Sequence, residues 1–316
     1  MPKKKICIQR STCCTSDKLK LSYQFCRSND CCEKPSVVLL HNIGFDSNYW
    51  ACTFKKFCPV ANVYALDFLC CGESEYVYHL STRLTITKLI QDLAEFLDCN
   101  HLSKVYLIGH GLGGIVALYF AAIYPHRVIK IAVSSTSPKY YCDKTWQYEI
   151  CSHVQKLTNK LWYEEDKCVT AKIAATITKL LDPNDCDRCK LTDQLIKSIG
   201  SQIIYSQTMN AVDARLILDH VKAPTLIMSG THDPTVPIGA TLYLRKHIPS
   251  SAIVEFFGYG TNFPILNSKL YNETVFNFFF VKCDPCRISL VTEQETNKCD
   301  NDCDGNKIII QCRYVK

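Results

Sequence analysis

Residues 104–120 read KVYLIGHGLGGIVALYF, and the rest of the chain depends on how this stretch is understood. Val105, Tyr106, Leu107 and Ile108 form a strand-like run that ends in a cluster of glycines and continues as an apolar helical pattern. Two chemistries share that outline. Gly109, Gly111 and Gly114 spell G-x-G-x-x-G, the loop whose backbone approaches a dinucleotide pyrophosphate at a helix N-terminus. The same residues also spell G-x-S-x-G with glycine in the serine position, which is a nucleophile elbow without its nucleophile.

The neighbouring sequence separates the two. A dinucleotide loop follows the first strand of its unit and needs a carboxylate about 20 residues on to hold the ribose. Here two or three strands precede the loop, the next strand-like run, VIKIAVSS, ends in serines, and residues 112–142 contain no acidic side chain. Only Lys139 offers a phosphate-binding substitute. A dinucleotide-dependent enzyme is therefore the weaker reading. The run from Val105 to Pro125 is uncharged and long enough to span a membrane, but its five glycines and prolines divide it into strand, turn and helix of a buried core.

Strand-like and helix-like runs alternate on both sides of this stretch, the pattern of a mostly parallel sheet covered on both faces. Strands are expected near 18–26, 35–41, 62–68, 104–109, 128–135, 224–230 and 252–257, with helices near 83–98, 112–124, 238–247 and 267–280. Residues 138–221 carry only helix-like patterns and read as an inserted cap. Its aromatics Trp146, Tyr148, Trp162 and Tyr163 serve either as a pocket roof or as packing. The expected layout is an N-terminal extension at 1–17, core at 18–137, helical cap at 138–221, core again at 222–281, and a cysteine-rich tail at 282–316.

With 316 residues, 47% apolar and 21% charged, the chain has an ordinary globular composition that can bury a large core. Its formal net charge of +6 is scattered apart from PKKK at 2–5, which gives no basis for nucleic-acid binding. The basic start lacks the apolar segment of a signal peptide, so a cytoplasmic protein is expected. In that setting the 21 cysteines read as thiols, with Cys70, Cys71 and Cys99 at positions suited to small buried residues. Cys283, Cys286, Cys299 and Cys303 have a zinc-compatible spacing that such a cysteine-rich chain also produces by chance, and CDRC at 186–189 lacks a redox context, so no metal is expected.

The elbow reading makes further demands along the chain. VVLLHNIGFDSNYW stands where an oxyanion-hole segment follows the third strand, and VYALDFLCCGESE stands at the turn after the fourth. SGTHDPTVP places Asp233 at the end of a late strand, and GYGTNFP places Asn262 in the histidine turn 29 residues later. On these motifs the chain resembles the α/β-hydrolase superfamily over residues 18–281, and within it the maspardin-type members. Those members also carry G-x-N-F-P, here GTNFP at 260–264, and a similar lead from the sixth strand to a T-W pair, here SSTSPKYYCDKTW at 134–146. They keep a serine at the elbow, whereas this chain has Gly111.

The resemblance implies an α/β-hydrolase fold with an inserted helical cap and no cofactor. It also implies triad positions at Gly111, Asp233 and Asn262, and an oxyanion pair in the backbone N–H groups of Ile43 and Leu112. Acyl transfer needs a nucleophile, a base and a carboxylate that orients the base. Gly111 has no side chain and the Asn262 amide cannot take a proton near neutrality, so no catalytic set is intact. The expected role is binding of a protein partner, or of a small ligand under the cap, in vesicle trafficking or signalling with endosomal or Golgi association through partners. The alternative is an esterase-like hydrolase with a relocated nucleophile, for which Cys70 and Cys71 are the candidates; His110 is expected to be structural, its side chain pointing away from the pocket. Replacing Gly111 with serine and Asn262 with histidine together is expected to restore some esterase activity.

Overall fold

The computed structural model describes residues 7–27, 34–77, 84–141, 143–148, 150–183 and 188–281. The four cysteines with zinc-compatible spacing, at 283, 286, 299 and 303, and residues 186 and 187 of the CDRC segment lie outside these residues. Among the described residues, eight strands form one sheet: β1 (Gln9–Cys14), β2 (Lys20–Cys26), β3 (Ser36–Leu40), β4 (Asn62–Leu66), β5 (Val105–His110), β6 (Val128–Ser134), β7 (Thr225–Gly230) and β8 (Ser251–Phe256). Their order is β1-β2-β4-β3-β5-β6-β7-β8, with β2 antiparallel to both β1 and β4 and the remaining pairs parallel. The helices are α1 (Ala51–Phe57), α2 (Ile86–Cys99), α3 (Leu112–Ile123), α4 (Ser152–Trp162), α5 (Lys167–Leu181), α6 (Arg188–Lys197), α7 (Ile199–Ala211), α8 (Ile238–His247), α9 (Phe263–Leu266) and α10 (Ser268–Phe280).

The central strands are buried on both faces, and successive residues feed two cores. Val38, Leu40, Leu66 and Leu107 face α2 and α3, while Val37, Leu39, Val63 and Ile108 face Trp50, Phe54, Tyr271 and Phe279. Each fully buried Leu or Phe contributes about 2 kcal/mol of burial free energy. α2 turns Leu89, Leu93, Phe96 and Leu97 inward, and Thr85 caps it by accepting from the Lys88 N–H. α3 is apolar all round because it lies in the core, with nine of its residues buried.

β1 adds an edge strand inside the stretch read as an N-terminal extension, pairing with β2 from Gln9↔Phe25 to Cys14↔Lys20. Its Arg10 reaches the buried Asp67 at 2.6 Å, and Asp67 in turn accepts from the Ser47 N–H, fastening the turn after β4. Cys70 and Cys71 are buried as expected, but Cys99 is exposed because it closes the solvent side of α2. The helices α4 to α7 lie between β6 and β7. Of the aromatics in 138–221, Trp146 packs against Tyr148 and Tyr243, Trp162 donates to Gln202 Oε1, and Tyr163 is 78% exposed. Among the described residues no helix is long and apolar enough to cross a membrane.

Candidate active site at the strand ends

The parallel strands deliver their C-terminal ends to one edge of the sheet, where ligands bind in open α/β folds. Gly111 occupies the turn between β5 and α3 with φ +52° and ψ −113°, a conformation that costs glycine little and other residues more. Its amide donates to Ser134 O, and its carbonyl accepts from Gly114 and Ile115. The other glycines of the stretch are required by close packing. A Cβ at 109 would run into the backbone of Gly113 and Gly114, one at 113 into the carbonyls of Leu40 and His41, and one at 114 into Thr136. The glycine spacing that suggested a pyrophosphate loop thus serves the contact between strand and helix.

Asn42, on the loop after β3, fills the space beside Gly111. A Cβ built on residue 111 would overlap the Asn42 carboxamide, and Asn42 Oδ1 accepts from the Leu112 N–H at 3.0 Å. The preceding His41 is fully buried and holds the loop from below. The Phe68 N–H donates to its Nε2 at 3.1 Å, which leaves Nδ1 as the protonated nitrogen, donating to Asn42 O at 2.7 Å. Burial lowers the His41 pKa and keeps the ring neutral.

Asp233 follows β7 and is buried. Its Oδ1 accepts from Thr261 Oγ1 at 2.8 Å, from Thr235 Oγ1 at 2.7 Å and from the Thr235 N–H at 2.8 Å. Its Oδ2 is buried without a well-formed bond among the described residues, while the Ser135 hydroxyl, which donates to Thr261 O, faces the same carboxylate. Desolvation raises the Asp233 pKa against these hydrogen bonds. Thr261 therefore brings the Asp233 carboxylate next to the turn that carries Asn262.

Asn262 is 2% exposed and is bound to the insertion rather than to Asp233. Its N–H donates to Asp182 Oδ1 at 3.0 Å and its Nδ2 donates to Asp182 Oδ2 at 2.7 Å. The Thr261 N–H donates to Leu181 O at 3.0 Å, and Gly260 is pressed so closely to Leu181 O that a Cβ there would overlap it. The C-terminus of α5 is thus fastened directly to the 260–262 turn.

His110 is fully buried and stacks on Tyr49 with ring centroids 5.0 Å apart. Its Nδ1 lies 3.2 Å from both Ser134 O and Ser134 Oγ. It does not point clear of the site: the ring also neighbours the Asn262 side chain, since β5 ends directly beneath the turn after β8. Desolvation outweighs the influence of Ser134 and of the nearby Asn262 amide and lowers its pKa to about 4, so the imidazole is neutral at pH 7. The candidate replacement nucleophiles lie elsewhere in the turn after β4. Cys70 Sγ accepts from the Val77 N–H, Cys71 meets Ser201 of α7, and burial raises both thiol pKa values.

Sequence reasoning overlooked Asn42 and Asp182. The signal for Asn42 was present in HNIG, where a side chain follows the histidine in a segment that must pass close to the elbow. Asp182, in LLDP at the end of α5, carried no such sign. Among the described residues no group of three or more histidine, cysteine or carboxylate side chains is arranged to hold a metal ion.

A family profile described as the alpha/beta hydrolase fold matches residues 35–153. The chain is 26% identical over 222 residues to a pimeloyl-[acyl-carrier protein] methyl ester esterase of Vibrio campbellii, covering 69% of this chain and 84% of that one. It is 25% identical over 262 residues to an abhydrolase domain-containing protein of Schizosaccharomyces pombe, covering 77% and 92%. An esterase from Exiguobacterium antarcticum superposes with a TM-score of 0.74 at 17% identity, covering 85% of this chain and 98% of that one. Sheet order, strand-end geometry and these likenesses agree: the chain has the α/β-hydrolase fold.

Proposed function

We propose that this is a non-catalytic, maspardin-like α/β-hydrolase-fold protein that acts by binding a partner. The observation that carries the proposal is Gly111 at the elbow, where acyl transfer needs an oxygen or sulfur nucleophile. Two contacts support it. Asn262, in the place of the base, gives its amide to Asp182, and Asp233 spends its bonded oxygen on Thr235 and Thr261 instead of an imidazole. Loss of triad members costs about a million-fold in turnover in a serine hydrolase.

The partner is a protein in this reading, because α6 and α7 occupy the approach to the strand ends: Tyr205 donates to Leu69 O at 2.8 Å and Gln194 Nε2 to Gly44 O at 3.1 Å. A small ligand under the cap would have to displace these contacts. The proposed setting is the cytoplasmic side of endosomal or Golgi-derived vesicles, reached through the partner. Affinity purification from cells with mass spectrometry tests the proposal, and a partner retained at stoichiometric amounts is the expected result. Ester turnover abolished by changing Cys70 or Cys71 would replace this proposal with a relocated-nucleophile hydrolase, the activity suggested by the names of the esterase relatives.

A further inference from the structure

We infer that Asn42 is a built-in occupant of the remnant oxyanion pocket, a side chain that takes the place of a substrate's acyl oxygen and keeps the pocket shut. The inference rests on the proposed reading of Gly111 and Asn262 as former triad positions. Three features carry it. The contact has the chemistry of the reaction, since an amide carbonyl oxygen accepts from the Leu112 N–H at 3.0 Å, the donor assigned to the oxyanion hole. The occupied space is that of the nucleophile, because a Cβ on residue 111 meets Oδ1, Cγ and Nδ2 of Asn42.

The loop that delivers Asn42 is also held from both sides. Below, Asn42 O accepts from the Phe45 N–H at 3.2 Å and from His41 Nδ1 at 2.7 Å. Above, Gln194 Nε2 donates to Gly44 O at 3.1 Å, so α6 of the insertion presses on the same loop. An ester, thioester or carboxylate ligand must displace a tethered amide to reach Leu112, and a tethered group competes at high effective concentration. Restoring serine and histidine at 111 and 262 therefore does not suffice. The serine would meet the Asn42 carboxamide, and its acyl substrate would find the oxyanion donor already engaged.

The test compares two variants, Gly111→Ser with Asn262→His, and the same pair with Asn42→Ala, both checked for folding by circular dichroism. Each is exposed to a fluorophosphonate probe, with the labelled residue identified by peptide mapping. Labelling of residue 111 on the order of 100-fold faster when Asn42 is removed is expected, the scale of gaining one oxyanion donor. Equal labelling of both variants overturns the role of Asn42 while sustaining the site's placement. If both fold and neither is labelled, the placement of the former triad is wrong. The role of Asn42 is then decided by hydrogen exchange of the peptide carrying Leu112 in the Asn42→Ala single variant. There, exchange about tenfold faster than in the wild type supports the engaged amide, and unchanged exchange overturns it.

Discussion

Asp182→Ala is the perturbation that most directly tests whether position 262 has been given a structural task. In the wild type both carboxylate oxygens of Asp182 accept from Asn262, the N–H at 3.0 Å and Nδ2 at 2.7 Å, with Asp182 1% and Asn262 2% exposed. Hydrogen bonds to a charged group are worth about 1.5–3 kcal/mol each, and two orphaned donors each carry a penalty of about 1–3 kcal/mol. Removing the buried carboxylate also removes its own desolvation cost, so the expected net loss is about 3 kcal/mol. For a chain of this size that corresponds to a fall in Tm of roughly 5 °C. Hydrogen exchange should accelerate at 178–183 and 259–263 together, because Leu181 O and the Thr261 N–H belong to the same junction. Asp182→Asn, which keeps one acceptor but turns an amide donor toward another donor, should also be destabilised. A loss below about 0.5 kcal/mol in Asp182→Ala, the range of ordinary surface changes, would refute a clamp between the insertion and the 260–262 turn.

Two further outcomes follow from the same contacts. Gly111→Ala should cost about 2 kcal/mol, from its left-handed φ and from overlap with the Asn42 carboxamide, and the cost should shrink by at least half in the presence of Asn42→Ala. Additive effects in a double-mutant cycle measured by urea unfolding would show that the two side chains do not share space. His110, whose pKa falls from 6.5 to about 4 on burial beside His41 and Tyr49, binds its proton less readily folded than unfolded. Its stabilising contribution is complete above pH 6.5 and is lost as pH falls toward 4, amounting to about 3 kcal/mol. Asp233, with a pKa raised by burial, works in the opposite sense above its usual carboxylate range, so His110→Phe is needed to isolate the histidine. Between pH 7 and 4 that variant should show a flatter stability profile than the wild type. Superimposable profiles would mean that His110 is not held neutral.

What was legible in the sequence is what short-range pattern encodes. The apolar runs of β3 to β8, the uncharged α3 and the glycines between β5 and α3 each follow from a few adjacent residues, and their order along the chain narrows the fold. β1 was not recovered because its segment QRSTCC lacks apolar alternation, and it becomes a strand through pairing with β2 and through the Arg10–Asp67 ion pair. α1 was missed because its seven residues give barely two turns of periodicity. At the site, Gly111, Asp233 and Asn262 could be picked out by motif, but what they touch could not. Leu112 and Asn42 are 70 residues apart and Asn262 and Asp182 are 80 apart, so their contacts are products of the folded sheet edge. His110 was expected to point clear of the site, and it lies beside Asn262 because the end of β5 and the turn after β8 meet at that edge.

The central claim is that bond-making chemistry is missing from an otherwise complete hydrolase scaffold. Its most direct test is steady-state hydrolysis by the purified wild-type chain of a panel of short and long acyl esters and thioesters, with the intact mass measured after fluorophosphonate treatment. The account predicts rates indistinguishable from the buffer control and an unchanged mass. A saturable turnover with a single labelled residue would contradict it.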